Sequence, residues 1–357
     1  MMKGFKYRIY PNKEQREFFA KTFGCARFIY NRMLADKIKH YELTKETLNN
    51  TPAQYKSEFV WLKEVDSLAL ANAQMNLKTA YGNFFRDKSI GFPKFKSKKD
   101  NNRSYKTNNQ DGTIYIEGGF VKLPKLKSMV KIKQHKLFEG VIKSCKVAQT
   151  PSGKYFVSLL VECEIKQLSR LETKVGIDVG IKTFAVMSNG VVVENPKVLR
   201  KSEKRLAKLQ KDLSRKQKGS KNKEKARIKV AALHEKIANQ RQDFLQKLSS
   251  KIIRDNQVIV LEDLKVRNMV KNHNLAKCIS EVSWAMFRTM IEYKAEWYGR
   301  EVVIAPSNYA SSQLCSDCGN KSGQTKDLGC RVYVCPVCSL TIDRDYNASL
   351  NLLKLAV

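Results

Sequence analysis

The chain has 357 residues, which is too many for one ordinary compact domain, and 42% of them are hydrophobic, which is enough for packed cores rather than disorder. Lys and Arg total 67 against 34 Asp and Glu, so the formal charge is +33, an excess that a polyanion such as nucleic acid would screen through its phosphates. Because no run approaches the roughly 20 apolar residues of a spanning helix and the amino terminus has no apolar signal region, we expect a cytoplasmic protein with no membrane partner.

The first half of the chain predicts strands on either side of a helical block. Residues 3–10 alternate as a strand does, and Asn12 and Gln15 then have the spacing of an N-terminal capping box. Residues 91–112 are basic and polar and are typical of a linker. From residue 113 to 164, apolar residues tend to recur at every second position, which predicts a small β-barrel or open sheet. Its first strand could be the amino-terminal one, which would make the helices an insertion.

The second half predicts a mixed α/β fold. Its elements are three strands across residues 174–195, a helical hairpin over about 198–254 that turns near Gly219, a strand ending at Glu262, a helix from about Ser280 to Gly299, a strand at 301–306 and a last helix from near Tyr346. This order of strands and helices is that of the ribonuclease-H-like fold, in which helices cover the faces of a mixed sheet.

Three carboxylates are candidates for a metal site. Asp178 lies within the apolar strand VGIDVG, where a lone buried carboxylate is costly and where a glycine on either side leaves room. Glu262 follows the apolar run VIVL, and Asp263 is the better helix cap of the two. Asp343 and Asp345 both precede the last helix, so either could be a plain cap, and we prefer Asp345 because it is closer to the helix body. In this fold the three acids converge, where they could hold two hard cations for phosphodiester hydrolysis.

Two CxxC pairs predict a zinc site. Cys315 and Cys318 are separated by sixteen residues from Cys335 and Cys338, a spacing typical of a four-thiolate zinc ribbon. Redox pairs and chance are the alternatives. Four thiolates leave no open coordination position, so this Zn²⁺ would be structural. Cys330 has no CxxC partner, and its role stays open.

Two stretches have the composition of nucleic-acid-binding surfaces. Residues 200–255 contain 19 Lys plus Arg and 6 Asp plus Glu, a difference of +13. A second basic cluster, Lys94, Lys96, Lys98 and Lys99, is interleaved with Phe92 and Phe95. Basic groups with aromatics suit single strands or RNA, although these rings could equally be packing residues.

Together these residues resemble the transposon-encoded TnpB (OrfB) proteins, relatives of the type V CRISPR effectors. The resemblance covers nearly the whole chain and includes YRIYPNKEQ, GFPKFKSKK, VGIDVGIKTFAVMSNG, LEDLKVRNMVKNHNLAKCISEVSW and CPVCSLTIDRDYNAS. It implies an RNA-guided endonuclease that takes its guide RNA from the transposon end. Such an enzyme cuts double-stranded target DNA beside a short flanking motif, using a RuvC-type domain with Mg²⁺ or Mn²⁺.

The resemblance also implies site residues and a domain layout. The catalytic acids would be Asp178, Glu262 and Asp345, and the zinc ligands the four CxxC cysteines. The implied domains are a β-barrel wedge domain at 1–11 and 105–170, a helical recognition domain with a basic linker at 12–104, a RuvC-like nuclease domain at 171–312 and 340–357, and a zinc ribbon at 313–339.

A transposase proper is one alternative, although the resemblance implies that strand transfer in these elements belongs to a separate tyrosine enzyme. Two other functions are compatible with the same residues. One is a guide-independent nuclease acting on branched or single-stranded DNA, which would need no large RNA-binding face. The other is a non-enzymatic nucleic-acid-binding regulator of transposition, which predicts the loss of at least one acid, whereas all three are present. The sequence does not specify the guide, the flanking motif, the cut positions, the oligomeric state or a host role.

Overall fold

The computed structural model describes residues 1–100, 103–327 and 329–356. It divides into two compact units, residues 1–164 and 165–357. Within the described residues, none of the helices has the length and apolar character needed to cross a membrane.

The first unit is built on a seven-stranded antiparallel sheet. Its strands are β1 (Met2–Tyr10), β2 (Arg103–Asn108), β3 (Tyr115–Glu117), β4 (Phe120–Lys122), β5 (Val130–Lys133), β6 (Val141–Gln149) and β7 (Tyr155–Glu162). The strand order is β2-β6-β7-β1-β5-β4-β3. The amino-terminal strand therefore lies in the middle of the sheet, and the helical residues 13–86 come between it and β2 in the chain. The described strands do not close, because the edges β2 and β3 do not pair, so the sheet is an open half-barrel rather than a barrel.

Strand β2 corrects the expectation of a linker over residues 91–112. It pairs with β6 along its whole length, and Tyr105 and Thr107 on its inner face are buried. The segment has period-two burial, but the buried Thr and the exposed Lys106 make it as polar as a linker. Pairing with a neighbouring strand, which sequence composition does not report, decides its structure.

Two long helices pack beside this sheet. Helix α1 (Lys13–Thr44) begins with the predicted capping box, in which the Gln15 N–H donates to Asn12 Oδ1 and the Asn12 N–H donates to Gln15 Oε1, each over 2.9 Å. Helix α2 (Ser67–Arg86) is capped by Asp66. The two helices share an apolar core that includes Ile29, Met33 and Leu70.

The second unit contains the predicted mixed sheet. Its strands are β8 (Lys174–Val179), β9 (Thr183–Met187), β10 (Val192–Glu194), β11 (Val258–Leu261) and β12 (Glu301–Ile304), in the order β10-β9-β8-β11-β12. Strands β8, β11 and β12 are parallel, whereas β9 and β10 are antiparallel to their neighbours. The predicted order of strands and long helices is confirmed.

Helices cover this sheet, and a small hairpin precedes the last of them. The helices are α3 (Val198–Ser214), α4 (Lys221–Asp255), α5 (Val266–Met269), α6 (His273–Val282), α7 (Trp284–Tyr298) and α8 (Arg344–Leu353). The hairpin is formed by β13 (Val332–Val334) and β14 (Thr341–Asp343). Ser220 caps α4, as the predicted turn of the helical hairpin requires.

The predicted single helix from Ser280 is wrong at its start. Ser283 has a left-handed backbone (φ 60°), which ends α6 and lets α7 begin at Trp284. Apolar side chains on both sides of the break differ in burial, because Val282 and Met290 are buried whereas Met286 is 42% exposed. A left-handed serine has no clear sequence signature, so apolar periodicity runs through the break.

Candidate active site and metal centre

Parallel pairing places the first two candidate acids side by side. The register of β8 and β11 aligns Ile177 with Leu261. Asp178 and Glu262 are the residues that follow this aligned pair, so both lie at the carboxyl ends of neighbouring strands. Asp178 keeps part of its surface exposed, and so does Glu262, so a ligand could reach both.

Close packing of α8 on β8 brings Asp345 to the same edge. A Cβ atom at Gly176 would lie 2.2 Å from the Ser349 carbonyl oxygen and 2.5 Å from the Leu353 nitrogen. The room that we expected beside this strand is therefore filled by the backbone of the last helix. Asp345 lies about one helical turn before Ser349, and Asp178 follows Gly176 on the same face of its strand.

The charges of the three carboxylates influence one another. Burial raises the pKa of Asp178 well above its usual range, and the charges of Glu262 and Asp345 raise it further, while the Arg344 guanidinium opposes the shift. Burial also raises the pKa of Glu262, with Ser311 lowering it and Asp345 raising it. Among the described residues, the four cysteines alone bring three or more possible ligand atoms within 4.8 Å of one another. The three carboxylates are therefore close enough to repel one another, but they are spaced more widely than the ligands of a single metal ion.

The structure separates the roles of the two aspartates at the start of α8. Asp343 caps the helix, since its Oδ1 accepts the N–H of Asp345 at 3.0 Å and that of Tyr346 at 2.9 Å. Asp345 instead faces two arginines, with Arg344 Nε at 3.3 Å and Arg331 at 3.7 Å. Asp343 is thus committed to the backbone, and Asp345 remains the candidate for the site.

Asp263 is not the helix cap that we expected. Its carboxylate accepts a hydrogen bond from Arg288 at 2.7 Å, and the residue before the short α5 helix is Lys265. Glu262, its neighbour, lies near the other acids. The charges of Asp345 and Arg344 both affect its pKa for that reason. An ion pair with a helix 25 residues away has no local sequence signal, which explains the error.

Ser311 is a site residue that sequence reasoning missed. Its hydroxyl donates to Glu262 Oε1 over 2.5 Å, and the residue is only 4% exposed. A hydrogen bond from a neutral hydroxyl favours the ionised carboxylate, which agrees with the lowering effect of Ser311 on the pKa of Glu262. The only hint in the sequence is the Ser-Ser pair shortly before the first CxxC motif.

Two buried asparagines connect α8 to the segment that carries Ser311. Asn351 Nδ2 donates to the carbonyls of Ser311 at 2.9 Å and Leu314 at 2.7 Å. Asn347 Nδ2 donates to the Leu314 carbonyl at 2.6 Å, and its Oδ1 accepts the Ser316 N–H at 2.9 Å. The helix that carries Asp345 and the segment that orients Glu262 are therefore held together on both sides of Cys315.

The four predicted zinc ligands lie together. The sulfur atoms of Cys315 and Cys338 are 3.5 Å apart, as are those of Cys318 and Cys335, and all four lie within 4.8 Å of one another. Zn–S bonds of about 2.3 Å in a tetrahedron give sulfur separations of about 3.8 Å, so the arrangement fits one Zn²⁺. The backbone N–H groups of Cys338 and Val337 lower the pKa of Cys335 to about 6, which favours a thiolate there. Burial and hydrogen bonds with the other three thiols raise the pKa of Cys338 to about 12.

Cys330 lies outside this cluster. Its thiol donates to the Val332 carbonyl at 3.1 Å, and its own carbonyl accepts from Arg344 at 3.3 Å. The backbone of Cys330 thus helps to hold an arginine beside the acids, while its sulfur takes no part in the four-thiolate group.

The basic helical hairpin presents its charge to solvent. Leu206, Leu233 and Ile237 form a narrow apolar contact between α3 and α4. Most of the Lys and Arg residues over 200–255 are exposed. Some of them pair with acids one turn away, as Lys216 does with Asp212, Arg227 with Glu224 and Lys247 with Asp243. Most of the excess charge is left for an external anion.

Comparison with known proteins identifies the family. Residues 158–273 match a family described as a probable transposase, and residues 284–352 match the Cas12f1-like TNB domain. A putative RNA-guided DNA endonuclease of Streptomyces pristinaespiralis is 39% identical over 98% of this chain and 88% of its own length. The chain belongs to the TnpB (OrfB) family. The putative RNA-guided DNA endonuclease InsQ of Escherichia coli K12 is 31% identical to this TnpB protein over 99% of the chain and 92% of InsQ.

A solved structure shares the fold of this TnpB protein. The Cas12f1 chain in a cryo-EM structure of a Cas12f1–sgRNA–target DNA complex superposes with a TM-score of 0.63 over 99% of this chain and 98% of that one, at 15% identity. A helix-turn-helix family description also matches residues 1–46. Those residues instead form strand β1 and the single long helix α1.

Proposed function

We propose that this TnpB protein is an RNA-guided, metal-dependent endonuclease of a transposable element. It cuts double-stranded target DNA next to a short flanking motif by two-metal phosphodiester hydrolysis. The observation that carries the proposal is the approach of Asp178, Glu262 and Asp345 to one sheet edge, where burial and the charges of neighbouring acids disfavour the ionised forms of Asp178 and Glu262. Repelling carboxylates at an accessible edge are an unfavourable arrangement unless cations bind between them.

The donor set suits hard divalent cations. Carboxylate oxygens are preferred ligands of Mg²⁺, and Mn²⁺ accepts them as well. Asp178, Glu262 and Asp345 would hold the ions, which when bound would activate a water and stabilise the leaving oxygen of the phosphodiester. Ser311 orients the Glu262 carboxylate, and Arg344 partly balances the negative charge. The protein thus holds the ligands in place before substrate binds.

The cysteine group has a different role in this proposal. Four thiolates complete the coordination of Zn²⁺, so this ion would be structural. The bound ion would stabilise residues 313–339 as a ribbon. That segment is joined through Asn347 and Asn351 to the helix that carries Asp345. Loss of zinc should therefore weaken both the fold of the ribbon and the geometry of the acids.

The remaining partners follow from charge and from the relatives. The relatives from Streptomyces pristinaespiralis and Escherichia coli are named putative RNA-guided DNA endonucleases, and the similar fold was solved with sgRNA and target DNA. A formal charge of +33 suits a large polyanion, and the exposed hairpin over 198–254 offers one surface for it. We assign the half-barrel to the wedge domain, α1 and α2 to the recognition domain, and the mixed sheet with α8 to a RuvC-like nuclease domain. Base pairing of the guide would supply sequence specificity.

The test combines cutting with metal-dependent stability in Asp178→Asn. This variant keeps the shape of the side chain but removes one of three repelling charges. We expect it to lose cutting, to keep nucleic-acid binding, and to unfold at a higher temperature than wild type in chelator. Mg²⁺ should raise the unfolding temperature of wild type more than that of the variant. Asp263→Asn, which changes a neighbouring carboxylate engaged by Arg288, is the matched control and should still cut.

RNA that copurifies from the native locus tests the guided part separately. One discrete RNA ending in a variable segment at the element boundary would support guidance. Absence of a discrete RNA, with cutting retained, would favour the guide-independent nuclease. Full activity in chelator, or cutting by Asp178→Asn, would refute the metal mechanism.

A further inference from the structure

Four aromatic rings form a packed group at the surface of the first unit. Tyr81, Phe84 and Phe85 lie near the end of α2, and Phe92 lies in the segment that follows. Ring centroids are 5.4 Å apart for Phe84 and Phe85, 5.5 Å for Tyr81 and Phe92, and 5.5 Å for Phe84 and Phe92. We call these four residues the aromatic platform. Its rings support one another in edge and tilted contacts, which aromatic pairs favour.

The outer rings of the platform are open to solvent. Phe85 is 70% exposed and Phe92 is 45% exposed, and the nearby Ile90 and Phe95 are 53% and 55% exposed. An exposed phenylalanine leaves apolar surface in water, and several of them together mark a binding surface more often than chance. The platform is therefore a surface that core packing does not explain.

The segment that carries Phe92 is fixed to α1. Pro93 is buried. The Lys96 N–H donates to Asn31 Oδ1 at 2.8 Å, and Asn31 Nδ2 donates back to the Lys96 carbonyl at 2.9 Å. The Lys96 ammonium lies 3.8 Å from the centroid of the Tyr30 ring. These contacts hold the backbone in one place, so the platform is prepared before a ligand arrives, which lowers the entropic cost of binding.

Charge selects the partner. Residues 81–99 contain six Lys and Arg residues and one Asp, a difference of +5. A second copy of the chain would place the same charge against this surface, and like charges disfavour that contact. Basic groups around exposed rings are the combination that binds single-stranded nucleic acid, because bases stack on the rings while phosphates contact the cations.

We propose that the aromatic platform binds unpaired bases of a nucleic-acid strand, stacking them on Phe85 and Phe92 while Lys94 and its neighbours contact the phosphates. The platform has no role in the cutting chemistry assigned to the three acids. This proposal rests on the proposed function, because guide RNA or unwound target DNA would supply the unpaired strand. The ligand class is the same in both cases, namely an unpaired single strand.

Cross-linking locates the contact on the full-length chain. We would irradiate the Asp178→Asn protein with a single-stranded RNA or DNA of about 12 nucleotides that contains 5-iodouracil, and identify the modified peptides by mass spectrometry. Cross-links should map to residues 81–99, and a fully paired duplex of equal length should give few of them. Cross-links confined to other parts of the chain would overturn the proposal.

Binding by ring variants then tests the stacking. Phe85→Leu keeps apolar area but loses the ring, and we expect it to bind the single strand about 5-fold to 100-fold more weakly with an unchanged salt slope. Phe85→Trp should restore binding, whereas Lys94→Gln should weaken binding and reduce the salt slope. Leu43→Ala, which removes a 76% exposed apolar side chain at the end of α1, is the matched control and should bind normally.

The outcomes separate this proposal from the proposed function. Equal binding by Phe85→Leu and wild type would overturn stacking, and guided cutting by the same protein would show that the function stands. A concentration-dependent dimer that Phe85→Leu abolishes would overturn it in favour of a self-association surface. If the protein binds anionic vesicles as tightly as the single strand, and Phe85→Leu loses that binding, the stacking proposal would be overturned in favour of a lipid-binding surface. Ring-dependent binding without guided cutting would support the platform and refute the function.

Discussion

The contact between Gly176 and α8 makes a quantitative prediction about how the acids are positioned. A methyl group at this position would lie 2.2 Å from the Ser349 carbonyl oxygen, whereas ordinary van der Waals contact begins at 3.4 Å. The helix or the strand must therefore move by about 1.2 Å, the difference between these two distances. Backbone atoms of α8 cannot rotate away as a flexible side chain can, so Gly176→Ala shifts the helix that carries Asp345.

Both stability and activity should respond to this substitution. Overpacking a well-filled core costs roughly 1–3 kcal/mol, which lowers the unfolding temperature by about 2–12 °C for a unit of this size. Displacing one acid by about 1 Å can cost about 100-fold in rate. We would measure thermal unfolding, helix content by circular dichroism, and single-turnover cutting at saturating Mg²⁺.

A glycine without close neighbours provides the control. Gly24 lies inside α1, and a Cβ atom there would meet nothing within 4 Å. Gly24→Ala should leave cutting unchanged and should not lower stability, because alanine favours a helix by about 1 kcal/mol over glycine. If Gly176→Ala unfolds and cuts as wild type does, the close approach of α8 does not position Asp345, and the reasoning from this contact is wrong.

Two further predictions concern the surroundings of the site, and a third concerns Lys294, a buried lysine of α7 that donates to α4. Ser311→Ala should raise the pKa of Glu262, because a hydrogen bond to the charged form is lost, so the low-pH limb of the cutting rate should move to higher pH. Ser311→Thr should restore the wild-type profile, and an unchanged profile in Ser311→Ala would contradict the role of Ser311. Metal analysis should find close to one zinc per chain, and Cys335→Ser should lose that zinc together with unfolding temperature and cutting rate. Burial lowers the pKa of Lys294 to about 8, so between pH 8 and the usual lysine range the folded state binds fewer protons than the unfolded state. The free energy of unfolding, measured with denaturant, should therefore rise with pH across that interval. The rise should be smaller in Lys294→Met.

The candidate ligands could be proposed from sequence because their signals are local. Two CxxC pairs sixteen residues apart predict the cysteine cluster without any knowledge of the fold, and the thiolates do lie together. An aspartate inside an apolar strand is unusual enough to be noticed alone. The capping box at Asn12 and the helical hairpin ending near residue 254 are also local patterns, and both are present.

Contacts between distant segments could not be read in the same way. The assignment of Asp343 as a cap, the pairing of Asp263 with Arg288, and the hydrogen bond from Ser311 to Glu262 all depend on where separate elements meet. Composition misled in one case, since the polar strand β2 has the character of a linker until it pairs with β6.

The sequence by itself determined the residue types, their spacing and the order of the elements, because these depend on short-range periodicity and ligand chemistry. Only the tertiary structure decided which acids share one edge, through the parallel register of β8 with β11 and the backbone contact of α8 at Gly176. It also turned the aromatic and basic stretch near Phe85 and Phe92 from an ambiguous pattern into an exposed surface. The physical reason is the same in each case, since burial, repulsion and exposure are properties of neighbours in space rather than neighbours in the chain.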